Sequence, residues 1–523
     1  MSYITGYSFS NLHLNISFNA NRCYLLDNKD EHDVLHTDDF VLSWNYGICN
    51  VKGALADAIR DGKKVRAIGG GWSLSDVQQT PDYLMNTSLL NLVQVGLTGY
   101  TMPGIDPAPW CICQCGAAVA DINDALQSNN MALSTSGASD GQSIVGAFST
   151  GTHGSAFTFG SMPDFVEGLH IIVTDSLHYW IEGDQPIVNQ DFIDNYAPGA
   201  TRINNTGILN AAVISFGGFG FIHAALLKVE PLYLLKHTQV YNTWDKVLPC
   251  LNDPSAVGSL GLPTDALYNF TAVGNPYITD TWVTHTMQKL SYDPSTAVGP
   301  KPVKPEIGTG ADAMAVIGAI CNAFPQGIPA FMDLTLKTIE KQYPLIDGVS
   351  NFPGNTFTYG KSVSKGKALS VELGVDASNV QAAAKVIFAV CNNVQYPGLI
   401  SFRYIKQSKA TLGFLKYPVS CAIEFPAVYC DETNAFYNAM YQALDDAGIE
   451  YTFHWGQCNN LNADNLIKKY GEAAVNNWLN ARYSILQTTA QQDMFSNDFM
   501  KRLGLDVHGA PPPPPPAATE STS

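Results

Sequence analysis

Up to residue 235 the chain alternates short apolar runs with glycine-rich breaks, the pattern of strands joined by tight turns. "GKKVRAIGGG" reads as a strand running into a side-chain-poor turn. In "AAVADINDALQ" the spacing of Val119, Ile122 and Leu126 puts three apolar side chains on one helical face. "FIHAALLKVEPLYLL" reads as one long strand closing this part. Between residues 240 and 365 the periodicity fades and the chain reads as loop, with "GPKPVKP" (Gly299 to Pro305) as a break.

The next stretch is sharply periodic. Leu369, Val371, Leu373 and Val375 alternate with Ser370, Glu372 and Gly374, giving a strand with one apolar face. Ser378 is placed to cap a helix carrying Val380, Ala383, Ala384, Ile387 and Cys391. Strands are predicted at Leu399 to Ile405 and at Ser420 to Phe425. A second helix follows from Thr433, with Phe436, Met440, Leu444 and Ala447 on one side and Gly448 as its stop. "YTFHW", from Tyr451, is a last strand. The order β-α-β-β-α-β is the split ferredoxin-like pattern, in which both helices cover one face of the sheet. Glu372, Ser401, Arg403 and Glu424 alternate onto the other face, where Arg403 and Glu424 are within reach of a cross-strand pair. Charges there are either solvated or functional. Helices after residue 465 are expected to return to the first part, and Pro511 to Pro516 form a polyproline tail that cannot pack. The expected class is α+β, divided at 1–235, 236–465, 466–508 and 509–523.

Composition narrows the function. The 523 residues are 46 % hydrophobic and only 14 % charged, with a net charge of −17. A surface that acidic repels phosphate backbones, so nucleic acid is excluded as a partner. No apolar run approaches the roughly 18 residues of a membrane span, and no leader pattern opens the chain, so a cytoplasmic location is expected. The 11 cysteines are scattered. "CICQC" (Cys111 to Cys115) has no second cluster at zinc spacing and reads as buried, reduced strand residues, so no metal is expected.

Two loops carry candidate chemistry. "VRAIGGGWSLSD" (Val65 to Asp76) strips side chains from a turn, so that backbone N–H groups can approach an anion. "STSGASDGQSIVGAFSTGTHGSAF" (Ser134 to Phe157) repeats that chemistry with glycines among serines and threonines. Two such loops in one glycine-rich region suit an extended ligand with two phosphates.

These segments resemble the vanillyl-alcohol-oxidase-type (PCMH-type) FAD-binding oxidoreductase family. "VRAIGGGWS" is similar to its R-x-x-G-x-G-H-S loop, and "GQSIVGAFSTGTHG" to its Q-[ST]-[IV]-x-G-[AI]-x-x-[ST]-x-[ST]-H-G segment. "GGFGFIHAALLKVEP" (Gly217 to Pro231) resembles its G-x-[LF]-G-[VF]-I strand. "FHWGQ" (Phe453 to Gln457) resembles the H-W-G-K of the aldonolactone and alditol oxidase branch, and the closing segment resembles type II cholesterol oxidases. The resemblance implies a two-part FAD-binding domain followed by a substrate domain, with FAD as cofactor. It places Arg66, Ile68, Gly69, Gly70, Gly71, Trp72 and Ser73 around the diphosphate on one side. Ser143, Gly146, Ser149, Thr150, Gly151 and His153 then line the second side, Ile222 meets the adenine or ribose, and His454 also faces the cofactor. Where oxidases of this branch carry a histidine bonded to flavin, this chain carries Trp72, which implies noncovalent FAD.

The substrate side departs further. Ser401 stands for the glutamate of Glu-x-Arg, Arg403 is kept, Glu424 stands for a histidine, and Gln457 for the lysine of H-W-G-K. That pattern points away from polyols and aldonolactones, and the aromatic content of 11 % with scarce charge points to a fairly apolar alcohol, oxidised at CH–OH by hydride transfer to flavin N5. Glu424 or His454 is the candidate base, with Arg403 orienting substrate, Gln457 beside them and Glu372 a weaker candidate. Glu424 reads equally as an ion-pair partner of Arg403, and His454 as a packed histidine beside Trp455. Rival readings are oxidative cyclisation or C–N oxidation, and a noncatalytic scaffold whose polyproline tail recruits an SH3-like partner.

Overall fold

The computed structural model describes residues 2–299, 311–342, 345–357 and 367–511. Most of the "GPKPVKP" break and Pro512 to Pro516 of the polyproline run, and so the tail with its SH3-like partner, lie outside the described residues.

The chain opens with a four-stranded sheet of β1 (Ser2–Ser10), β2 (Ser17–Leu25), β3 (Val65–Ile68) and β4 (Tyr83–Asn86), in the order β1-β2-β4-β3. Helix Phe40–Asp61 leads into β3. Asp39 caps it by accepting from Leu42 N, and Gly62 ends it at φ +62°, a left-handed turn that glycine adopts without a Cβ clash. A six-stranded sheet follows, from β5 (Val93–Val95), β6 (Trp110–Gln114), β8 (Val166–Ile172), β9 (His178–Glu182), β10 (Thr201–Asn204) and β11 (Phe221–Lys228). A small ladder pairs β7 (Met131–Ala132) with β12 (Glu230–Pro231). Between β6 and β7, helix Val119–Ser128 buries Val119, Ile122 and Leu126, the three residues its spacing singled out. Cys111, Cys113 and Cys115 are buried free thiols, with Cys111 and Cys115 pushed up to about 12 by burial.

Three histidines thread this sheet. His170 Nε2 lies 2.9 Å from His178 Nδ1, and His170 Nδ1 lies 3.1 Å from His223 Nδ1. The chain of contacts runs out to Lys52 Nζ, 3.0 Å from His178 Nε2. Burial holds His178 down to about 4 and His223 to about 3, with His170 also well below the usual imidazole range.

The expected single strand after Gly220 is three strands, β11, β12 and a longer one beyond Pro231, each in a different sheet. Pro231 has no N–H to give a ladder, and at Glu230–Pro231 the chain turns aside to pair with Met131–Ala132. It then enters a second sheet as β13 (Tyr233–Asn242). That sheet has eight strands: β13, β14 (Leu267–Asn275), β15 (Ile278–Ser291), β16 (Val349–Asn351), β17 (Ala368–Asp376), β18 (Ile400–Lys406), β19 (Val419–Val428) and β20 (Thr452–Phe453). Their order is β16-β13-β15-β14-β18-β19-β17-β20. The region expected to be loop therefore holds the β14–β15 hairpin and helices Ala311–Ala323 and Ile328–Gln342. β15 hid from the pattern because its buried face carries Thr284 and Thr286 beside Trp282. Asn242 Nδ2 satisfies Thr284 Oγ1 at 2.8 Å, so the hydroxyl is tolerated there.

The β-α-β-β-α-β unit is present within this larger sheet. Helix Val380–Cys391 buries Val380, Ala383, Ala384, Ile387 and Cys391, and helix Asp431–Asp446 buries Phe436, Met440 and Leu444 before Gly448 at φ +66°. Ser378 is not the cap of the first helix: its own N–H and hydroxyl both donate to Asp376 in a turn preceding Asn379. After β20, helix Glu472–Ile485 returns to the first part, where Trp478 Nε1 donates to Ile214 O and Arg482 Nε to Gly218 O, both at 2.8 Å. Among the described residues no helix is long and apolar enough to cross a membrane.

Candidate active site

Between the first two sheets lies a cavity of about 110 Å³. Arg66, Ile68, Gly69, Ser143, Gly146, Ser149, Thr150 and Ile222 line it. The local reasons are steric. A Cβ on Gly69 would lie 2.0 Å from Ser143 Oγ, so only glycine lets the two loops close on each other. Arg66 is buried with its guanidinium turned onto main-chain carbonyls, at 2.6 Å to Val77 O and 3.2 Å to Gly217 O, with Phe216 O a further acceptor. This fixes a positive charge in the wall while leaving backbone amides to face a ligand.

Gln78 is the informative wall residue. It is 8 % exposed, and neither its amide oxygen nor its nitrogen has a hydrogen-bond partner. A buried amide left this way is explained by a polar ligand in the cavity. Ser136 Oγ, Asp140 Oδ1 and Gln142 Oε1, all in the second glycine-rich loop, are likewise buried without partners. The residues fit a dinucleotide. Sequence reading missed Gln78, as well as the Ser215–Gly217 turn, which also lines the cavity. The turn adjoins the glycine-rich "GGFG", which was read only as the start of a strand, whereas a single glutamine carries no pattern.

Gly70, Gly71, Trp72 and Ser73 sit at the exit of the first loop, beyond the cavity wall. Trp72 lies across glycines: a Cβ on Gly70 or Gly141 would come within 2.9 Å of its indole. Ser75 Oγ donates to Trp455 O at 2.7 Å and Leu74 N to Gly456 O at 2.8 Å, which ties this exit to the "FHWGQ" turn. Thr150 closes the same corner, since a Cβ on Gly456 would lie 3.1 Å from its Oγ1. Beyond the four loop-exit residues, two further residues expected beside the diphosphate stand elsewhere. Gly151, at φ +82°, faces Phe414, and His153 reaches past the cavity to the substrate sheet. The reason is the turn at Thr150–Gly151, which ends helix Ile144–Ser149 and redirects the chain.

On that sheet the polar face assembles one cluster. Glu372 and Glu424 are register partners on β17 and β19, and Arg403 on β18 bridges them, with Nη2 2.6 Å from Glu372 Oε1 and 2.6 Å from Glu424 Oε2. His153 Nε2 adds a contact to Glu372 Oε1 at 3.0 Å. Gln457 Nε2 donates to Glu424 Oε1 at 3.2 Å, and Ser401 Oγ is buried without a partner. His454 N donates to Glu372 O at 3.0 Å, and its ring lies against Phe414. The five predicted substrate-side residues thus converge, with His153 as a sixth.

The two carboxyls are pushed apart. Burial opposes ionisation of Glu372, but His153 and Arg403 outweigh it and hold the group well below the usual carboxylate range. Burial raises Glu424, Arg403 pulls it back, and the neighbouring Glu372 charge raises it again, leaving it above its ordinary value. His454 is held to about 4 by burial, against the pull of Glu372. Its Nδ1 accepts from Gly456 N at 3.0 Å, so the neutral ring carries its proton on Nε2 and acts as a donor. Ligand atoms of His153, Glu372 and His454 lie within 4.8 Å of one another, a spacing open to a metal ion. Arg403 already sits on the shared carboxylate oxygen, and its fixed charge works against a cation there.

Comparison with known proteins agrees with this architecture. Residues 48–180 match the family described as FAD binding domain. The chain is 27 % identical over 202 residues to the D-arabinono-1,4-lactone oxidase of Debaryomyces hansenii, covering 37 % of this chain and 32 % of that protein. The match to the L-gulono-1,4-lactone dehydrogenase of Mycobacterium tuberculosis is 20 % identical over 86 % of this chain and 92 % of the relative. Alignment with the arabinonolactone oxidases thus spans about a third of their length. Among solved structures, the cholesterol oxidase of Brevibacterium sterolicum superposes with a TM-score of 0.68 at 13 % identity, covering 96 % of this chain and 97 % of that one. That likeness is one of fold. Fold and cavity together define a two-part FAD-binding domain carrying a sheet-built cap. Residues 48–180 thus carry an FAD-binding domain with FAD as the cofactor, and the chain is similar to aldonolactone oxidases and dehydrogenases.

Proposed function

We propose that this protein is an FAD-dependent oxidoreductase that oxidises a CH–OH group of a fairly apolar alcohol, with FAD held noncovalently. The observation that carries the reading is Arg403 bridging two carboxyls pushed in opposite directions, at the corner where the substrate sheet meets the cavity. FAD supplies the hydride acceptor. Glu424, raised and 22 % exposed, takes the hydroxyl proton. Glu372 stays ionised and holds Arg403 and His153 in place, so Arg403 can orient the substrate oxygen without swinging away. His454, donating from Nε2, stabilises negative charge developing on that oxygen. Trp72 in place of a histidine supports noncovalent FAD, and the free state of all 11 cysteines suits a reducing, cytoplasmic setting.

The test is anaerobic mixing of the purified holoprotein with a panel of sterol-like, aromatic and aliphatic alcohols, read as bleaching of the flavin absorbance. One feature favours the second reading, C–N oxidation: two carboxyls face a single guanidinium, a balance that also suits an ammonium substrate. Amines that bleach the flavin where no alcohol does would replace the first reading with the second. Acid precipitation should release the flavin into the supernatant, and colour left in the pellet would refute the noncovalent assignment.

A further inference from the structure

Far from the cavity, helix Ala311–Ala323 packs against the junction of β19 and helix Asp431–Asp446 and brings two thiols together. Cys321 is 3 % exposed and Cys430 1 %, both in one small apolar cluster with Ile328, Met332 and Val428. The contact is pinned on either side. A Cβ on Gly318 would lie 2.5 Å from Tyr429 O, so the helix approaches the strand end as closely as glycine allows. Asn322 Oδ1 accepts from Asp431 N at 2.9 Å. Between these anchors Cys321 and Cys430 adjoin in that cluster, and Cys430 Sγ lies 3.2 Å from Thr433 Oγ1.

Cys430 is the N-cap residue of a 16-residue helix, where unpaired amides favour a thiolate. Interaction with the adjoining Cys321 thiol lowers it, burial opposes, and the contacts with Thr433 lower it further, bringing it to about 6. Cys321 is shifted the other way by the same interaction and by burial. Other buried cysteines behave differently: Cys111, Cys115 and Cys391 are pushed up to about 12 by burial.

We propose that Cys321 and Cys430 form a peroxide-reactive dithiol, with Cys430 the attacking and Cys321 the resolving group. The Cys430 sulfur attacks one oxygen of hydrogen peroxide. The O–O bond breaks, an S–O bond forms, and the other oxygen leaves as water. Cys430 is oxidised by two electrons to the sulfenic acid as the peroxide is reduced. Cys321 then attacks that sulfur. The S–S bond forms, the S–O bond breaks, and the hydroxyl leaves as a second water with the Cys321 proton. The disulfide staples the helical insertion to the substrate sheet.

Peroxide is added from outside in the test, so its result does not depend on the oxidoreductase reading. Holoprotein is treated with dilute hydrogen peroxide, alkylated, digested without reductant and analysed by mass spectrometry, with thiols counted after unfolding. The expected result is a Cys321–Cys430 linked peptide and loss of two of the 11 thiols. In Cys321→Ser, dimedone should trap a sulfenic acid on Cys430, and in Cys430→Ser, Cys321 should stay reduced. Wild-type protein in which Cys430 stays reduced, or passes to sulfinic acid with no linked peptide, overturns the proposal. That measurement stands even where a variant does not fold.

Discussion

Glu372 and Glu424 are the same chemical group, paired in register on adjacent strands, yet their surroundings drive them apart. Glu372 is contacted by both Arg403 and His153 and stays ionised, whereas Glu424 shares only Arg403 and lies beside a like charge. Replacing Glu424 with Gln should lower kcat about 10²–10⁴-fold at unchanged flavin content. The wild-type acid limb should lie above pH 4.5, because the proton-accepting form is lost as pH falls through the raised value. A limb at or below 4.5, or one kept in Glu424→Gln, would move the base elsewhere. Removing Arg403 as Ala leaves two carboxyls face to face and should cost about 3–5 kcal/mol in denaturant melts. For the cavity, Gly69→Ala meets Ser143 Oγ at 2.0 Å and should yield folded protein with a low flavin-to-protein absorbance ratio. A wild-type ratio would show that the loops do not close as described. At this scale the glycines were legible, because a turn stripped of side chains is visible as composition. Gln78 was not, since its role appears only when its unpaired amide is seen on a cavity wall.

The histidines of β8, β9 and β11 set a property of an element. Unfolded histidine titrates near 6.5, and in the sheet His178 falls to about 4 and His223 to about 3. A base depressed by folding contributes stability fully above pH 6.5. That contribution drains as pH falls below 6.5 toward the folded values, by about 1.4 kcal/mol per unit for each group. Melting temperature measured from pH 7 to 5 should therefore drop with a slope that His178→Gln reduces, and identical slopes in the two proteins would contradict this origin. The ferredoxin-like unit was legible as an element because its helices cover one face, so each strand shows clean alternation. β14 and β15 were not, because buried threonines and Asn269 replace apolar residues on strands enclosed on both sides. The Pro231 break was written in the sequence, but its meaning, a change of sheet, depends on the pairing with Met131.

Across the molecule, the cavity and the cap share one corner, since the first loop's exit is hydrogen-bonded to the Trp455–Gly456 turn. FAD should then stabilise both parts together. Excess FAD at 100 times Kd is worth about 2.7 kcal/mol and should raise a single cooperative melt. Separate transitions, with only one shifted by FAD, would show that the parts are uncoupled.

The hydrogen bond between Ser75 and Trp455 spans 380 residues. At about 5–20 residues per second, the ribosome delivers the second partner on the order of tens of seconds after the first. A nascent chain holding both glycine-rich loops but not yet Trp455 thus lacks the bond that ties the first loop's exit to the substrate sheet.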